Sequence, residues 1–160
     1  MSILVLGLGN ILLSDEGVGV RIVEALDAAH DLPEDVEVLD GGTSGMELLD
    51  MVAERDCLIV ADAVNASRPA GSVVRLENDD IRAIFETHFS PHQLGLSDLL
   101  AALRLVDKAP RRVVVFGVVP EHLGLGMDLS PAAAGGRDVA VGMIVDELGR
   151  LGAAPTPRLH

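Results

Sequence analysis

The sequence predicts an α/β protein of three layers, in which helices cover both faces of a twisted, mostly parallel five-stranded sheet. Short apolar segments alternate along the chain with longer segments whose apolar residues recur at helical spacing, as expected for repeated strand–helix units. Several apolar segments are continuous, which indicates strands buried on both faces. The length of 160 residues fits one domain, which we place at residues 1–151. The proline-containing residues 152–160 are expected to form a flexible tail.

The predicted strands are short runs rich in β-branched residues and Leu, and turn residues such as Gly7, Asp40 and Gly71 adjoin them. In chain order they cover residues 3–6, 36–39, 57–60, 73–76 and 113–118. The fourth strand follows the third after only a short connection. We therefore expect that it can pair antiparallel and make the sheet mixed.

Helices are predicted where apolar residues recur at helical spacing after a capping residue. Ser14, Ser90 and Ser130 are the candidate N-caps of the longer helices, and prolines follow two of them at the first helical position. Five helices are predicted. The first follows Ser14 and ends near residue 30, the second follows Ser44 and ends at residue 52, and the third covers residues 79–85. The fourth runs from Ser90 to about residue 106, and the fifth runs from Ser130 to the tail. In the last helix we expect four side chains to face the sheet: Val139, Met143, Val145 and Leu148.

The composition excludes several classes of function. With 25 acidic and 12 basic residues, the chain carries a formal charge of −13, which argues against a nucleic-acid partner because such binding depends on Lys and Arg. Neither Trp nor Tyr is available to stack on bases. A lone Cys57 cannot form an internal disulfide, and no apolar run is long enough for a membrane span. The first residues have no basic region, and polar residues and glycines interrupt their apolar stretch, which argues against a signal peptide. We therefore expect a cytoplasmic protein without a membrane or nucleic-acid partner.

The candidate site residues follow the strands, because ligands of open α/β sheets bind at the carboxyl ends of the strands. Glu16, Asp40 and Asp62 lie in these connections. Acids in a first helical turn are also favoured by the helix dipole, so position alone does not make Asp15 or Glu16 functional. Asp62 is the stronger candidate, since a carboxylate directly after a buried strand is costly unless it is paired or binds a metal.

His92 is the candidate imidazole ligand. It follows the Ser90 cap at the start of a predicted helix, where the positive helix end favours the neutral ring that can bind a metal. His122, just beyond the fifth strand, is a reserve candidate. Glu16, Asp62 and His92 together form a mixed oxygen and nitrogen donor set from three separate loops, which leaves coordination positions open.

Other interpretations of these motifs are weaker. Gly7 and Gly9 follow a strand as in a dinucleotide-binding loop, and Asp40 could contact a ribose, but Leu12 stands where the third glycine belongs. No Gly-x-Ser-x-Gly motif supports a serine hydrolase, and the segment after residue 39 does not have the Asp-Thr-Gly order of an aspartic protease. A Rossmann-type nucleotide-binding module remains a minor alternative.

The chain resembles the nickel–iron hydrogenase maturation endopeptidases, and within them the subgroup that serves uptake-type hydrogenases. The likeness covers residues 1 to about 121 through these segments: ILVLGLGNILLSDE at 3–16, GVRIVEAL at 19–26, LDGGTSGMELL at 39–49, IVAD at 59–62, SPHQLGL at 90–96 and GVVPE at 117–121. After residue 121 the likeness weakens, and residues 124–128 and 132–136 look particular to this chain.

The resemblance implies an endopeptidase that removes a C-terminal extension from the hydrogenase large-subunit precursor after nickel insertion. It implies Glu16, Asp62 and His92 as metal contacts and Asp40 as a residue for cleavage or substrate recognition. The nickel would be carried by the precursor rather than held tightly by the protease, and it would polarise the scissile carbonyl or activate water. A protein that senses or escorts nickel without hydrolysis remains the alternative, and the oligomeric state stays open.

Overall fold

The computed structural model describes residues 1–42, 46–78, 80–81 and 96–159. In chain order its strands are β1 (Ile3–Leu8), β2 (His30–Asp31), β3 (Val36–Gly42), β4 (Cys57–Ala63), β5 (Val73–Glu77), β6 (Arg112–Val118) and β7 (Thr156–Pro157). Its helices are α1 (Val18–Ala29), α2 (Leu49–Val52), α3 (Leu96–Leu105) and α4 (Pro131–Arg150), with 3-10 turns at Ser14–Gly17 and Met46–Leu48. Most of the predicted helix at 79–85, and the predicted helix start at Ser90, lie outside the described residues.

The main sheet has the strand order β3-β1-β4-β6-β5, which confirms the predicted five-stranded sheet. β3, β1, β4 and β6 are parallel, whereas β5 pairs antiparallel with β6, so the sheet is mixed as expected. β5 lies at the outer edge, and the position beside β4 is taken by β6. The carboxyl ends of the four parallel strands consequently meet at one edge, where the connections that follow β1, β3, β4 and β6 come together.

Helices cover both faces of this sheet, which confirms the three-layer architecture. Side chains of β1 alternate between the faces: Ile3 and Val5 point to one core, and Leu4 and Leu6 to the other. The first core is completed by α1 and α4 with Ile22, Leu26, Ile144 and Leu148, and the second by α2 and α3 with Val52, Leu99, Leu100 and Leu103. Full burial of each such Leu or Ile contributes roughly 1.5–3 kcal/mol, so both cores stabilise the sheet.

The orientation of α4 differs from the prediction. Ser130 is the N-cap as expected, accepting a hydrogen bond from Ala133 N–H, but Val139 is 56% exposed and does not face the sheet. Met143 and Val145 are partly buried against the core, and Leu148 is fully buried. Small residues make the close contacts instead, and the buried face of the helix is Ala133, Gly136, Ala140, Ile144, Glu147 and Leu148. The prediction gave too much weight to side-chain size, because a helix can pack closely through small residues.

The C-terminal segment, for which the sequence predicts a flexible tail, is bonded to the end of α1 in the structure. β7 pairs antiparallel with β2, and Arg158 N–H donates to Ala29 O at 2.9 Å. Ala153 is buried against the core that α4 helps to form. Among the helices in the described part of the chain, none has the length and apolar character needed to cross a membrane.

Candidate functional site

The candidate carboxylates lie at the sheet edge where the parallel strands end. Asp62 is near the end of β4, opposite Gly117 of β6. Asp40 is near the end of β3, opposite Gly7 of β1. Glu16 lies in the 3-10 turn Ser14–Gly17 between β1 and α1. The rule that sites form at the carboxyl ends of parallel strands therefore located all three acids at the same edge.

Glycines bring the Glu16 turn against the sheet. A β-carbon at Gly9 would lie 2.0 Å from Glu16 O, and the φ of Gly9 is +129°, which L side chains rarely adopt. A β-carbon at Gly19, in α1, would lie 2.2 Å from Ala61 O of β4. The glycines after β1 thus serve close packing of backbones, and they do not form the phosphate loop of a dinucleotide site.

The same packing places Glu16 close enough to Asp62 for their charges to interact. Burial raises the pKa of the Asp62 carboxyl well above its usual value, and the negative charge of Glu16 raises it as well. A hydrogen bond of 2.8 Å from Ala63 N–H to Asp62 Oδ1 opposes this rise. Glu16 is 3% exposed. Two acids held together in this way are stabilised when a cation lies between them.

The third candidate ligand, His92, lies outside the described residues, as does Thr43 after Asp40. In the part of the chain that the structure describes, no three residues of the His, Cys, Asp and Glu types gather as a metal site. The structure therefore brings together Glu16 and Asp62, and the role of His92 stays a prediction from the sequence and the resemblance.

Asp40 lies further along the same edge. Asp40 pairs with Gly7 of β1, and Gly7 pairs on its other side with Ala61 of β4. At the usual spacing between strands, the backbone of Asp40 is therefore about 10 Å from that of Ala61. The Asp40 side chain is exposed.

Asp15 is the residue at this edge whose role the sequence did not reveal. It is fully buried, and its Oδ2 accepts hydrogen bonds from Glu121 N–H (2.9 Å), His122 N–H (3.0 Å) and Ser130 Oγ–H (2.6 Å). Its Oδ1 accepts one from Ser130 N–H at 2.7 Å. Burial alone raises the pKa of the Asp15 carboxyl, but these hydrogen bonds outweigh it and hold that pKa below its usual value. Asp15 is therefore a structural carboxylate, and a local pattern could not have identified it because its partners are more than 100 residues away.

The loop that Asp15 binds carries exposed apolar side chains beside the site. Residues 121–128 are all exposed, including Leu123, Leu125 and Met127. His122, the reserve ligand, is exposed, and its carbonyl accepts a hydrogen bond from Asp15 N–H at 3.0 Å. The loop thus borders the Glu16 turn on the side of β6.

Comparisons with known proteins show which family the chain belongs to. The HycI family model, described as hydrogenase maturation protease, matches residues 20–147. The chain is 46% identical over 159 residues to the hydrogenase 2 maturation protease of Escherichia coli K12, and this alignment covers 99% of the chain and 97% of that protein. It is 42% identical over 148 residues to the hydrogenase expression/formation protein HupD of Rhodobacter capsulatus, covering 91% of the chain and 70% of that protein.

The fold agrees equally well with a solved structure. The hydrogenase maturating endopeptidase HybD from E. coli superposes with a TM-score of 0.93 at 46% identity, covering 99% of this chain and 98% of that one. The family model spans well over half of the sequence, and the fold match extends over nearly all of it. By sequence and by structure, the chain belongs to the hydrogenase maturation protease family.

Proposed function

We propose that this protein removes a C-terminal extension from the precursor of a nickel–iron hydrogenase large subunit, after nickel has been inserted into that precursor. Membership of the maturation protease family supports the endopeptidase activity. The relative that the chain matches over nearly its whole length is named a hydrogenase 2 maturation protease, which supports a hydrogenase precursor as the substrate. We further propose that this processing takes place in the cytoplasm.

The single structural observation that carries the proposal is the Glu16–Asp62 pair. Burial and the charge of Glu16 destabilise the ionised form of Asp62. A divalent cation bound to both acids would stabilise that ionised form. Carboxylate oxygens, joined by the imidazole of His92, suit a borderline ion such as nickel. The pair therefore fits a cation that arrives with the substrate.

Recognition of the precursor's nickel follows from the limited donor set. Glu16, Asp62 and His92 supply three donors without a thiolate, so they leave coordination positions for ligands that the precursor retains. A protease that contacts the cation only when the precursor presents it acts on loaded precursor alone. This requirement makes cleavage a check on nickel insertion.

The chain's own residues position the peptide that is to be cut. Glu16 and Asp62 hold the loaded precursor at the end of β4, and we assign Asp40, across β1, to orienting the scissile peptide or its attacking water. Nickel, when present, supplies Lewis-acid polarisation of a carbonyl or of water.

The test uses purified protein and purified large-subunit precursor, with and without nickel. We expect shortening of the nickel-loaded precursor on a denaturing gel, no shortening of the nickel-free precursor, and loss of shortening in Asp62→Asn and His92→Ala. Glu37→Gln is the matched control, since Glu37 is an exposed acid of β3 far from its carboxyl end. Cleavage of nickel-free precursor at the same rate would contradict nickel recognition. Co-elution with loaded precursor without shortening would instead identify a nickel escort protein.

A further inference from the structure

In the connection between β6 and α4, residues 121–128 are held by hydrogen bonds, whereas Val119 before them and Leu129 after them pack against the cores. Residues 121–128 are all exposed, so no side chain of this stretch anchors it in either core. Three of its hydrogen bonds are with the segment that follows β1: Ser14 N–H donates to Gly126 O at 2.8 Å, Ser14 Oγ–H to Gly124 O at 2.8 Å, and Gly126 N–H to Leu12 O at 3.0 Å. Arg21 of α1 donates a further one to Met127 O at 3.1 Å. The loop would lose its fixed position if these bonds and those of Asp15 were removed.

Asp15 makes the largest contribution to this junction. One buried carboxylate accepts four hydrogen bonds, from Glu121 and His122 at the start of the loop and twice from Ser130 at its end. Hydrogen bonds to an ionised acceptor are stronger than neutral ones, and a donor buried without its acceptor is costly. Asp15 therefore holds both ends of the segment from Glu121 to Ser130 from a single point.

The Glu16 turn does not depend on Asp15 in the same way. Glu16 N–H donates to Leu13 O at 3.1 Å within the turn, and Glu16 O lies against Gly9. Gly19 further holds the start of α1 against Ala61 of β4. Loss of the Asp15 carboxylate should therefore release the loop while Glu16 keeps its place beside Asp62.

The first part of the loop lies beside the turn that carries Glu16, because Glu121 and His122 are bonded to Asp15. Met127 lies further away, against α1, where Arg21 donates a hydrogen bond to its carbonyl at 3.1 Å. The loop follows Val118, whose carbonyl accepts a hydrogen bond from Val64 N–H, and Val119, whose N–H donates to Ser72 O. β6 and β1 lie on opposite sides of β4, so the loop begins on the side of Asp62 that faces away from β1. Asp15, which binds its first residues, is the chain neighbour of Glu16. Leu123, Leu125 and Met127 are exposed on it, and Leu12, 54% exposed, extends the apolar surface onto the neighbouring segment.

We propose that Asp15 is a positioning residue that holds residues 121–126 beside the Glu16 turn, as a surface against which the substrate polypeptide is seated. This inference rests on the proposed function, because the substrate is the hydrogenase precursor. Asp15 then acts on substrate binding, through the loop, and it takes no part in bond cleavage or in binding nickel.

The deciding variant is Asp15→Asn, which has nearly the same shape. Its amide nitrogen cannot accept a hydrogen bond, so at least one of the donors now bonded to Asp15 is left facing another donor. Ser14→Ala is a milder second variant that removes only the bond to Gly124 O. Glu147→Gln is the matched control. Glu147 is a buried carboxylate that accepts hydrogen bonds from Arg75 and Arg150, and it pairs with Arg112, the first residue of β6, away from the carboxyl ends of the parallel strands.

The first measurement is hydrogen exchange in the isolated protein, which does not depend on the proposed function. In Asp15→Asn we expect the amides of Glu121, His122 and Ser130 to exchange about tenfold faster or more, since a loss of about 1.4 kcal/mol of local protection has that effect. The Gly9 amide, bonded to Gly42 O at 2.9 Å, should keep its rate. Unchanged exchange rates of these three amides would show that Asp15 does not hold the loop in place.

The second measurement is the steady-state cleavage of nickel-loaded precursor. For Asp15→Asn we expect KM to rise about tenfold, with kcat within about twofold of the parent, and for Ser14→Ala a smaller rise in KM. Glu147→Gln should leave both constants unchanged at a temperature where it is folded. Calorimetry with nickel alone should show the same affinity for Asp15→Asn and the parent.

Two results would overturn the inference while leaving the proposed function intact: a fall in kcat at constant KM, or a loss of nickel affinity equal to that of Asp62→Asn. If the parent protein cleaves no precursor, the proposed function fails instead, and the exchange rates still decide whether Asp15 tethers the loop.

Discussion

A β-carbon on Gly9 would stand 2.0 Å from the carbonyl oxygen of Glu16, so this glycine permits the contact between the end of β1 and the turn that carries a candidate nickel ligand. The contact is between backbone atoms, and neither partner can rotate away as a side chain would. The position of Glu16 beside Asp62 is therefore set by the backbone packing of the sheet edge.

Replacing Gly9 by Ala should displace the Glu16 turn. We expect a loss of about 2–5 kcal/mol in the free energy of unfolding, because the new methyl group overlaps backbone and the positive φ is strained for Ala. Processing of loaded precursor should be lost even at temperatures where the variant is folded. Gly142→Ala in α4 is the control, since its β-carbon meets nothing within 4 Å, and it should be neutral or stabilising. Urea unfolding measures both, and equal stability of the two variants would contradict this account.

Neutralising Asp62 should abolish processing without weakening the fold. Asp62→Asn removes a carboxylate whose charged form is disfavoured by burial and by Glu16, while the amide oxygen can still accept the Ala63 N–H bond. We therefore expect a free energy of unfolding, measured without nickel, that is equal to or above that of the parent. Processing should fall by a factor of about 100 or more, a typical loss when a group that contacts the reacting centre is removed. A destabilised variant with normal processing would show that Asp62 is structural.

The helix face chosen by α4 can be tested with one pair of variants. Leu148→Ala removes a fully buried side chain and should lower the free energy of unfolding by about 2–5 kcal/mol. Val139→Ala, at a position that is 56% exposed, should change it by less than about 0.5 kcal/mol. Similar losses from both would mean that α4 is rotated relative to the structure.

The ion pairs at the far end of the sheet predict a pH dependence of stability. Hydrogen bonds from Arg112 and Arg75 hold the pKa of Glu77 below its usual value of 4.5. The folded state therefore binds the Glu77 proton less readily than the unfolded state does. The contribution of Glu77 to stability is complete at pH values above the unfolded-state pKa of 4.5, and it is lost as the pH falls through the lower pKa of the folded state. Glu77→Gln should be less stable than the parent at pH 7, and the difference should shrink towards zero in acid. Urea unfolding between pH 7 and pH 3 checks this, with Glu37→Gln as an exposed control.

Much of the fold was predictable because burial leaves a strong local pattern. The runs at 3–6, 57–60 and 113–118 are apolar on both faces, and a segment of that kind can only lie inside a covered sheet. The antiparallel β5 was foreseen from the short connection before it, although its pairing with β6 depends on residues that come later in the chain. In α4 the pattern misled, because Val139 is large but Ala140 and Gly136 make the contact.

Glu16, Asp40 and Asp62 were found from the sequence because each follows a strand, and the end of a strand is visible as the end of an apolar run. Their common edge follows from the parallel order of the sheet. The participation of nickel and of His92 stays a prediction that the experiments above address.

The amino-acid sequence by itself determined the layers of this protein and the sheet edge at which the candidate acids Glu16, Asp40 and Asp62 lie, since these depend on which short segments must be buried and where they end. Only the tertiary structure decided which residues bond to Asp15 and why a glycine is needed at position 9. The hydrogen bonds of Asp15 join residues 106 to 115 positions apart, and the contact of Gly9 is with a backbone atom. Interactions of this kind have no periodicity along the chain, so they become visible only when β6 and the start of α1 have been packed side by side.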